Sequence, residues 1–389
     1  IATVEQLLLA AADLLRRYRE GRSALWAIMP EGIEHSKGGL AMGARYFIGI
    51  DLHKTVIQAC VLDAAGEVVE EKRYRYDGLG DGLKVVEDLK RWGEGGRYAV
   101  EAIYLNRWFV NACREGRLDV VVADPLKLGL RVQGKKTDRR DAHEIARRLW
   151  MGDIDRSAKT YYPSDREFGF RKLLRVRHKL VSIRQQLVNQ ARAFLSAYQV
   201  AAPPGSLHSR RNLPRVRECS FPTPEMDFAF QKLLDTLAGT QSSIKALKEK
   251  IEECAAKDED VGAAVNELPS VGPRTAMTLV HELGDLRRFR NAKAAASSVG
   301  LVPRVANSGD KSHHGRLTKR GNPQVRWILG QWAVRLLSRD RRVLEWAKPR
   351  LKRMHFNKLR VALARRLFVG VYVMMTRGEA FDLDRCLAS

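Results

Sequence analysis

The chain has 389 residues, 45% of them hydrophobic, with 69 Lys and Arg against 45 Asp and Glu, for a formal charge of +24. That length supports two or three domains with packed cores, the composition excludes a disordered chain, and the charge calls for a polyanionic partner, nucleic acid ahead of an anionic membrane. No apolar run approaches the roughly 18 to 20 residues that cross a bilayer, so no membrane span is expected.

Residues 1–41 contain one amphipathic helix over roughly 3–20 and then sequence punctuated by Gly, Ser and Pro. The apolar start Leu7–Leu15 is interrupted by Asp13 and lacks a preceding basic segment, so it is a poor signal peptide. Because the first convincing strand begins only at Tyr46, Met42 reads as close to the start of the ancestral domain and residues 1–44 as an N-terminal extension. Cys60, Cys113, Cys219, Cys254 and Cys386 are odd in number, widely spaced and without a C-x-x-C pair, which fits a reduced cytoplasmic protein without a zinc site.

From Tyr46 the pattern predicts strands over 46–52, 55–63 and 67–75 joined by short connections. Gly78 to Gly82 read as a break, followed by a helical stripe of Leu83, Val86 and Leu89 to Trp92. A strand over 97–102, a helix over 104–115, a strand at Asp119–Ala123 and a helix from Thr137 follow. This order, βββαβαβα, resembles the RNase H-like fold, a mixed α/β sheet. Acids stand at the ends of its elements: Asp51 closes the first strand, Glu101 the fourth, and Asp138 and Asp141 lie three apart on one face of the last helix, which Thr137 can cap. Four converging carboxylates repel one another unless divalent cations neutralise them; hard oxygen ligands suit Mg²⁺, with Mn²⁺ possible, as in two-metal phosphoryl transfer. Lys135 and Lys136 stand beside these acids as phosphate contacts or as their salt-bridge partners.

Strand signals then stop. Leu173, Leu174, Val176, Leu180, Ile183, Leu187 and Leu195 recur at helical spacing through 167–198, and Phe228, Leu233, Leu234, Leu237, Ile244, Leu247 and Ile251 do so through 225–255. The segment between them, rich in Pro and Arg, cannot continue either helix. A protruding antiparallel arm results, either an intersubunit coiled coil or a hairpin packed on its own molecule. In Glu267–Ala276, a hydrophobic-Gly turn with Pro273 at a helix start resembles the turn of a helix-hairpin-helix, where the backbone at Gly272 and the side chain of Arg274 meet a DNA phosphate; a plain helix-turn with Gly272 as C-cap explains the same residues. From Lys311 to Arg366 there are 17 Lys and Arg against Asp340 and Glu345, a phosphate-tracking face that includes Lys311, Arg316, Lys319 and Arg320. Trp327, Trp332 and Trp346 lie in this helical stretch and are read first as core residues.

Taken together, Gly49-Ile-Asp51, Glu101-Ala102, Lys136-Thr-Asp138-x-x-Asp141-Ala142, Val271-Gly-Pro-x-Thr-Ala276, Gly300-Leu-Val-Pro303, Ser308-Gly309 and Lys319-Arg-Gly-Asn322 resemble the DEDD transposases of the IS110 family. The resemblance implies a RuvC-like DEDD domain over 45–160, a helical coiled-coil arm with a basic loop over 161–260, and a C-terminal serine transposase domain over 261–389. It further implies a recombinase of a mobile element that works with a noncoding bridge RNA pairing with donor and target DNA, with Mg²⁺ on the four acids and Ser308 as the attacking nucleophile. A homo-oligomer, dimer or tetramer, in the cytoplasm and associated with the nucleoid would follow. After Glu101 the chain reads Ala102-Ile-Tyr-Leu-Asn106 where the family usually has Ala-Thr-Gly-x-Tyr, so the backbone near that acid is expected to run differently. Two other readings compete: a RuvC-like nuclease that uses water, and a non-catalytic nucleic-acid-binding derivative of a transposase. From the residues alone a serine in a Gly-bounded polar loop is a turn residue.

Overall fold

A computed structural model of the chain describes residues 44–128, 137–308, 311–318 and 321–388. The expected helix over 3–20 and Lys135, Lys136, Lys319 and Arg320 lie outside the described residues. The chain forms two compact units, which divide between Tyr162 and Pro163.

In the first unit β1 (Tyr46–Leu52), β2 (Val56–Leu62), β3 (Val68–Arg75), β4 (Gly96–Glu101) and β5 (Asp119–Ala123) form one sheet in the order β3-β2-β1-β4-β5. The first three strands are antiparallel, and β1, β4 and β5 run parallel. Side chains of alternating residues leave opposite faces of a strand, and here both faces are apolar. On one, Ile48, Ile50, Tyr98 and Val100 pack against α1 (Gly78–Leu89) and α2 (Arg107–Glu115) through Val85, Val86, Leu89, Phe109 and Val110. After the short α3 (Pro125–Leu128) comes α4 (Asp138–Trp150), which covers the other face; there Phe47, Leu62, Ala99 and Val121 meet Ala142, Ile145, Ala146 and Leu149. Each large aliphatic side chain buried this way is worth about 1.5–3 kcal/mol.

Two details correct the sequence reading. The first helix begins at Gly78, so Gly78 to Gly82 are not a break, and its buried stripe is Gly82, Val85, Val86 and Leu89 while Leu83 is exposed. Gly82 sits under Trp108, whose ring would lie 2.6 Å from a Cβ there, so the glycine makes room for an indole and does not end the helix. The second helix starts at Arg107, not 104, and Tyr104 is exposed.

The second unit opens with α5 (Asp165–Ala197), whose first turn is closed by a capping box between Ser164 and Glu167. It packs along α7 (Pro224–Ala256), which is capped by Thr223. Their far ends share a core of Val188, Leu195, Phe230, Leu234 and Leu237 with Phe194 and Phe221 stacked edge to face at 4.8 Å. Val176 and Phe228 belong to the solvent face, against expectation. The connecting segment is also more ordered than its composition implied. It holds α6 (Asn212–Arg217), in which Pro214 falls within the first turn, where a missing N–H costs little, and it buries Leu207 and Val216.

At their near ends Leu174 of α5 and Ile251 of α7 enter a larger core built by α8 (Glu259–Glu267), α9 (Pro273–Leu283), α10 (Ala292–Ser298), α11 (Pro323–Arg339), α12 (Arg341–Leu351), α13 (Phe356–Arg377) and α14 (Leu383–Ala388). Trp332 is a core residue, as expected, and its indole N–H donates to Pro269 O at 2.8 Å. Trp346 lies on α12, a separate helix from Trp327 and Trp332. Between α10 and α11 the polar stretch is not a loop but a hairpin of β6 (Pro303–Ser308) and β7 (Lys311–Leu317), paired antiparallel with Ser308 opposite Lys311. In the sequence, Gly-Asp between two short runs is a local hairpin signal, which the polar, basic composition obscured.

Candidate metal centre

The end of β1 and the start of α4 meet at one point. Thr137 Oγ1 accepts the backbone N–H of Arg140 at 3.4 Å, which fixes Asp138 as the first residue of α4 and holds Asp138 and Asp141 in its first turn. Two ion pairs tie that turn to β3: Arg73 Nη1 donates to Asp138 Oδ2 at 3.1 Å, and Arg139 pairs with Glu71. Asp51 leaves β1 on the α4 side of the sheet and is 8% exposed.

His53, two residues on, bridges the acids. Its Nε2 is 3.0 Å from Asp51 Oδ2 and 3.4 Å from Asp138 Oδ1. One ligand atom from each of Asp51, His53 and Asp138 lies within 4.8 Å of the others. Asp141 is buried, and its charge, with that of Asp138, acts on Asp51. Burial above all pushes the Asp51 carboxyl up from its ordinary value; the two neighbouring acids add to the rise and His53 opposes it.

Glu101 is half-buried at the end of β4. The parallel register sets Ile50 beside Val100, and Asp51 and Glu101 each follow next on their strands. Its carbonyl accepts Asn106 Nδ2 at 2.8 Å, so the unusual residues after Glu101 close into a turn that caps the strand end. One row crosses the antiparallel part of the sheet, Arg73 opposite Gln58 and Gln58 opposite Asp51.

The donor set fits a hard divalent cation. Ligands bound at about 2.0–2.3 Å sit up to roughly 4.5 Å apart, so small rotations would bring Asp51, His53 and Asp138 onto one ion. Such an ion would offset the repulsion that now raises the Asp51 carboxyl. The imidazole is the residue sequence reasoning passed over; the signal was its position two residues after Asp51, which returns a side chain to the same side of an extended chain.

The other candidate residues lie in the second unit. Ser308 ends β6, and Lys311 and Arg316 lie in β7. Gly272 is the N-cap of α9, not a C-cap, with Pro273 at the first helical position. Arg274 follows, its guanidinium carbon 5.6 Å from the centre of the Trp327 ring.

Residues 48–200 match a DEDD transposase family model of the IS110 type, and residues 262–347 match the transposase IS116/IS110/IS902 family model. The first stretch contains all four acids, the second Gly272, Arg274 and Ser308. The chain is similar to the transposase for insertion sequence element IS1111A of Coxiella burnetii, 28% identical over 86% of this chain and 90% of that one. It is also similar to the transposase for insertion sequence element IS1328 of Yersinia enterocolitica, 30% identical over 54% of this chain and 64% of that one.

Proposed function

The chain belongs to the IS116/IS110/IS902 transposase family, and from that premise we propose that it is a DNA recombinase of a mobile element, working through a carboxylate metal centre and a serine nucleophile. The observation that carries this reading is the meeting of Asp51 and Asp138 over His53, with donor atoms within 4.8 Å. In this reading Asp51, Glu101, Asp138 and Asp141 are the catalytic acids and the metal ligands, with His53 as an added donor, and Mg²⁺ or Mn²⁺ is the ion.

The ion, when bound, supplies charge neutralisation at the scissile phosphate and lowers the pKa of an attacking hydroxyl. Ser308 supplies that hydroxyl. Its oxygen forms a bond to phosphorus as one bridging P–O bond of the DNA breaks, its proton passes to water, and the departing strand oxygen takes up a proton. The reverse reaction with a second strand's hydroxyl rejoins the DNA and frees the serine. Arg73 holds Asp138 in place during this exchange.

Donor and target DNA are the substrates, and a structured noncoding RNA is the guide. Lys135, Lys136, Gly272, Arg274, Lys311, Arg316, Lys319 and Arg320 are their phosphate contacts, the turn before α9 acting as a helix-hairpin-helix element. The arm of α5 and α7 is the oligomerisation device, and the enzyme works in the cytoplasm at the nucleoid. Among the described residues no helix is long and apolar enough to cross a membrane.

The test is incubation with supercoiled donor DNA, RNA transcribed from the DNA flanking the gene, and Mg²⁺. A covalent protein–DNA adduct that is lost in Ser308→Ala supports the proposal. Free cleaved ends that persist in Ser308→Ala assign the chemistry to water, and binding without strand breakage under every metal condition leaves a non-catalytic derivative.

A further inference from the structure

The second unit holds a group of cations of which, among the described residues, Arg177 and Arg274 have no ion-pair partner. Arg177 and His178 of α5 approach Arg274 of α9, and Arg274 approaches Arg335 of α11. Trp327 is the wall that two of them share: the His178 ring meets it edge to face at 4.7 Å, and the Arg274 guanidinium lies over it at 5.6 Å. Arg177 Nε and His178 Nδ1 are buried and have no hydrogen-bond partner among the described residues. Arg335 spends one N–H on Ser270 O at 2.9 Å. Among the described residues neither Arg177 nor Arg274 is in an ion pair, and the charge of Glu252 offsets the burial of Arg177 only in part. Two turns along α5, Arg184 continues the row toward His208; the seven residues from Arg177 to Arg184 span about 10 Å of helix.

Burial and mutual repulsion depress the Arg177, Arg274 and His178 side chains below their ordinary values. Guanidinium groups stay charged regardless, so the folded protein carries an uncompensated cost at this spot. A single Arg over an indole would be ordinary packing. Three arginines and a histidine in one group, two of them packed on the same indole, with buried polar atoms left unused, make sense as an anion site awaiting its anion. The start of α9, where backbone dipoles favour negative charge, adds to the attraction.

We propose that Arg177, His178, Arg274 and Arg335, walled by Trp327, form a binding site for a phosphodiester of a nucleic-acid backbone, which Arg184 extends along α5. The inference draws on the transposase reading only for the source of the phosphate.

The test measures binding of a short labelled DNA duplex and a labelled structured RNA to the full chain by fluorescence anisotropy over a salt series. Arg177→Met and Arg274→Met are each expected to weaken binding roughly tenfold and to lower the slope of log K against log salt by about one. Their melting temperatures without nucleic acid should stay level or rise, because repulsion is relieved; a merely structural arginine would lower them. Arg335→Gln, which gives up one hydrogen bond, reads the same site should a Met variant fail to fold. Lys84→Gln, on an exposed side chain paired with Asp81, is the control and should change little. An effect on the duplex alone, the RNA alone or both names the source of the phosphate and supports the site. Folded variants with wild-type affinity and salt slope for both probes would overturn it. A wild-type protein that binds but cuts nothing would sink the recombinase reading and leave this site standing.

Discussion

A methyl group on Gly49 would stand 2.1 Å from the backbone oxygen of Ala142 and 2.3 Å from the backbone nitrogen of Ala146. Strand β1 and helix α4 therefore touch backbone to backbone, and this contact sets the height at which Asp138 and Asp141 face Asp51. Gly49→Ala must push α4 outward, because neither neighbour is a flexible side chain. The expected cost is about 1–3 kcal/mol, read from urea unfolding. Cleavage should fall at least about a hundredfold, since a shift of about 1 Å in a catalytic group is enough for that. A variant with wild-type cleavage would show that the acids do not depend on this contact.

The raised Asp51 carboxyl makes a second prediction. An acid whose pKa is higher folded than unfolded is destabilising where it is ionised in the fold, and this penalty fades as pH falls through its folded value and is gone below its unfolded value. Without divalent ions, Asp51→Asn should therefore melt higher than the wild type at neutral pH, and the gap should close on acidification. In the wild type, metal must displace a proton from Asp51 as pH falls, so protection by Mg²⁺ should weaken at a higher pH than for an ordinary aspartate. Melting curves with and without Mg²⁺ across pH check both. A lower melting point for Asp51→Asn at neutral pH would mean that the acids are not in conflict.

His53 separates a metal ligand from a spectator. Its imidazole nitrogen is a better partner for Mn²⁺ than for Mg²⁺. His53→Ala should thus weaken Mn²⁺ binding by about 10–100-fold and Mg²⁺ binding by less, as measured by calorimetry. Mn²⁺ added to the wild type should show nitrogen coupling in its electron paramagnetic resonance spectrum, and the variant should not. Equal affinities in both proteins would reduce His53 to a hydrogen-bond partner of Asp51.

The sheet was legible in the sequence because both its faces are apolar, so its strands read as short continuous apolar runs: β1 and β5 lie where Tyr46–Leu52 and Asp119–Ala123 were read. Thr137 also announced its cap, since Thr before an acidic first turn is a local signal. What escaped depends on neighbours far along the chain. Gly82 looks like a helix breaker until Trp108, from the next helix, fills the space above it. His53 gains meaning only once α4 brings Asp138 against it. Val176 and Phe228 fit a helical stripe, yet α5 and α7 turn those positions to solvent, because over 33 residues each helix drifts relative to a fixed seam.

Asn322 closes the last part of the resemblance with a structural role. Its Oδ1 accepts the backbone N–H groups of Gln324 at 2.9 Å and Val325 at 3.3 Å, capping α11, which directs its Nδ2 to Glu282 Oε2 at 2.7 Å. The Glu282 side chain is 0% exposed and takes two further bonds from Arg175, both 2.7 Å. One amide thus ties the helix after the Ser308 hairpin to α9 and, through Arg175, to α5. Asn322→Ala loses the cap and a bond to a buried carboxylate and should cost about 2–3 kcal/mol in urea unfolding. Asn322→Asp keeps the cap but sets a second carboxylate against Glu282, so at neutral pH it should be the less stable of the two. Its deficit should shrink as acid protonates one member of the pair, whereas that of Asn322→Ala should not follow this course. An aspartate variant as stable as the wild type at neutral pH would show that the amide does not face the Glu282 charge.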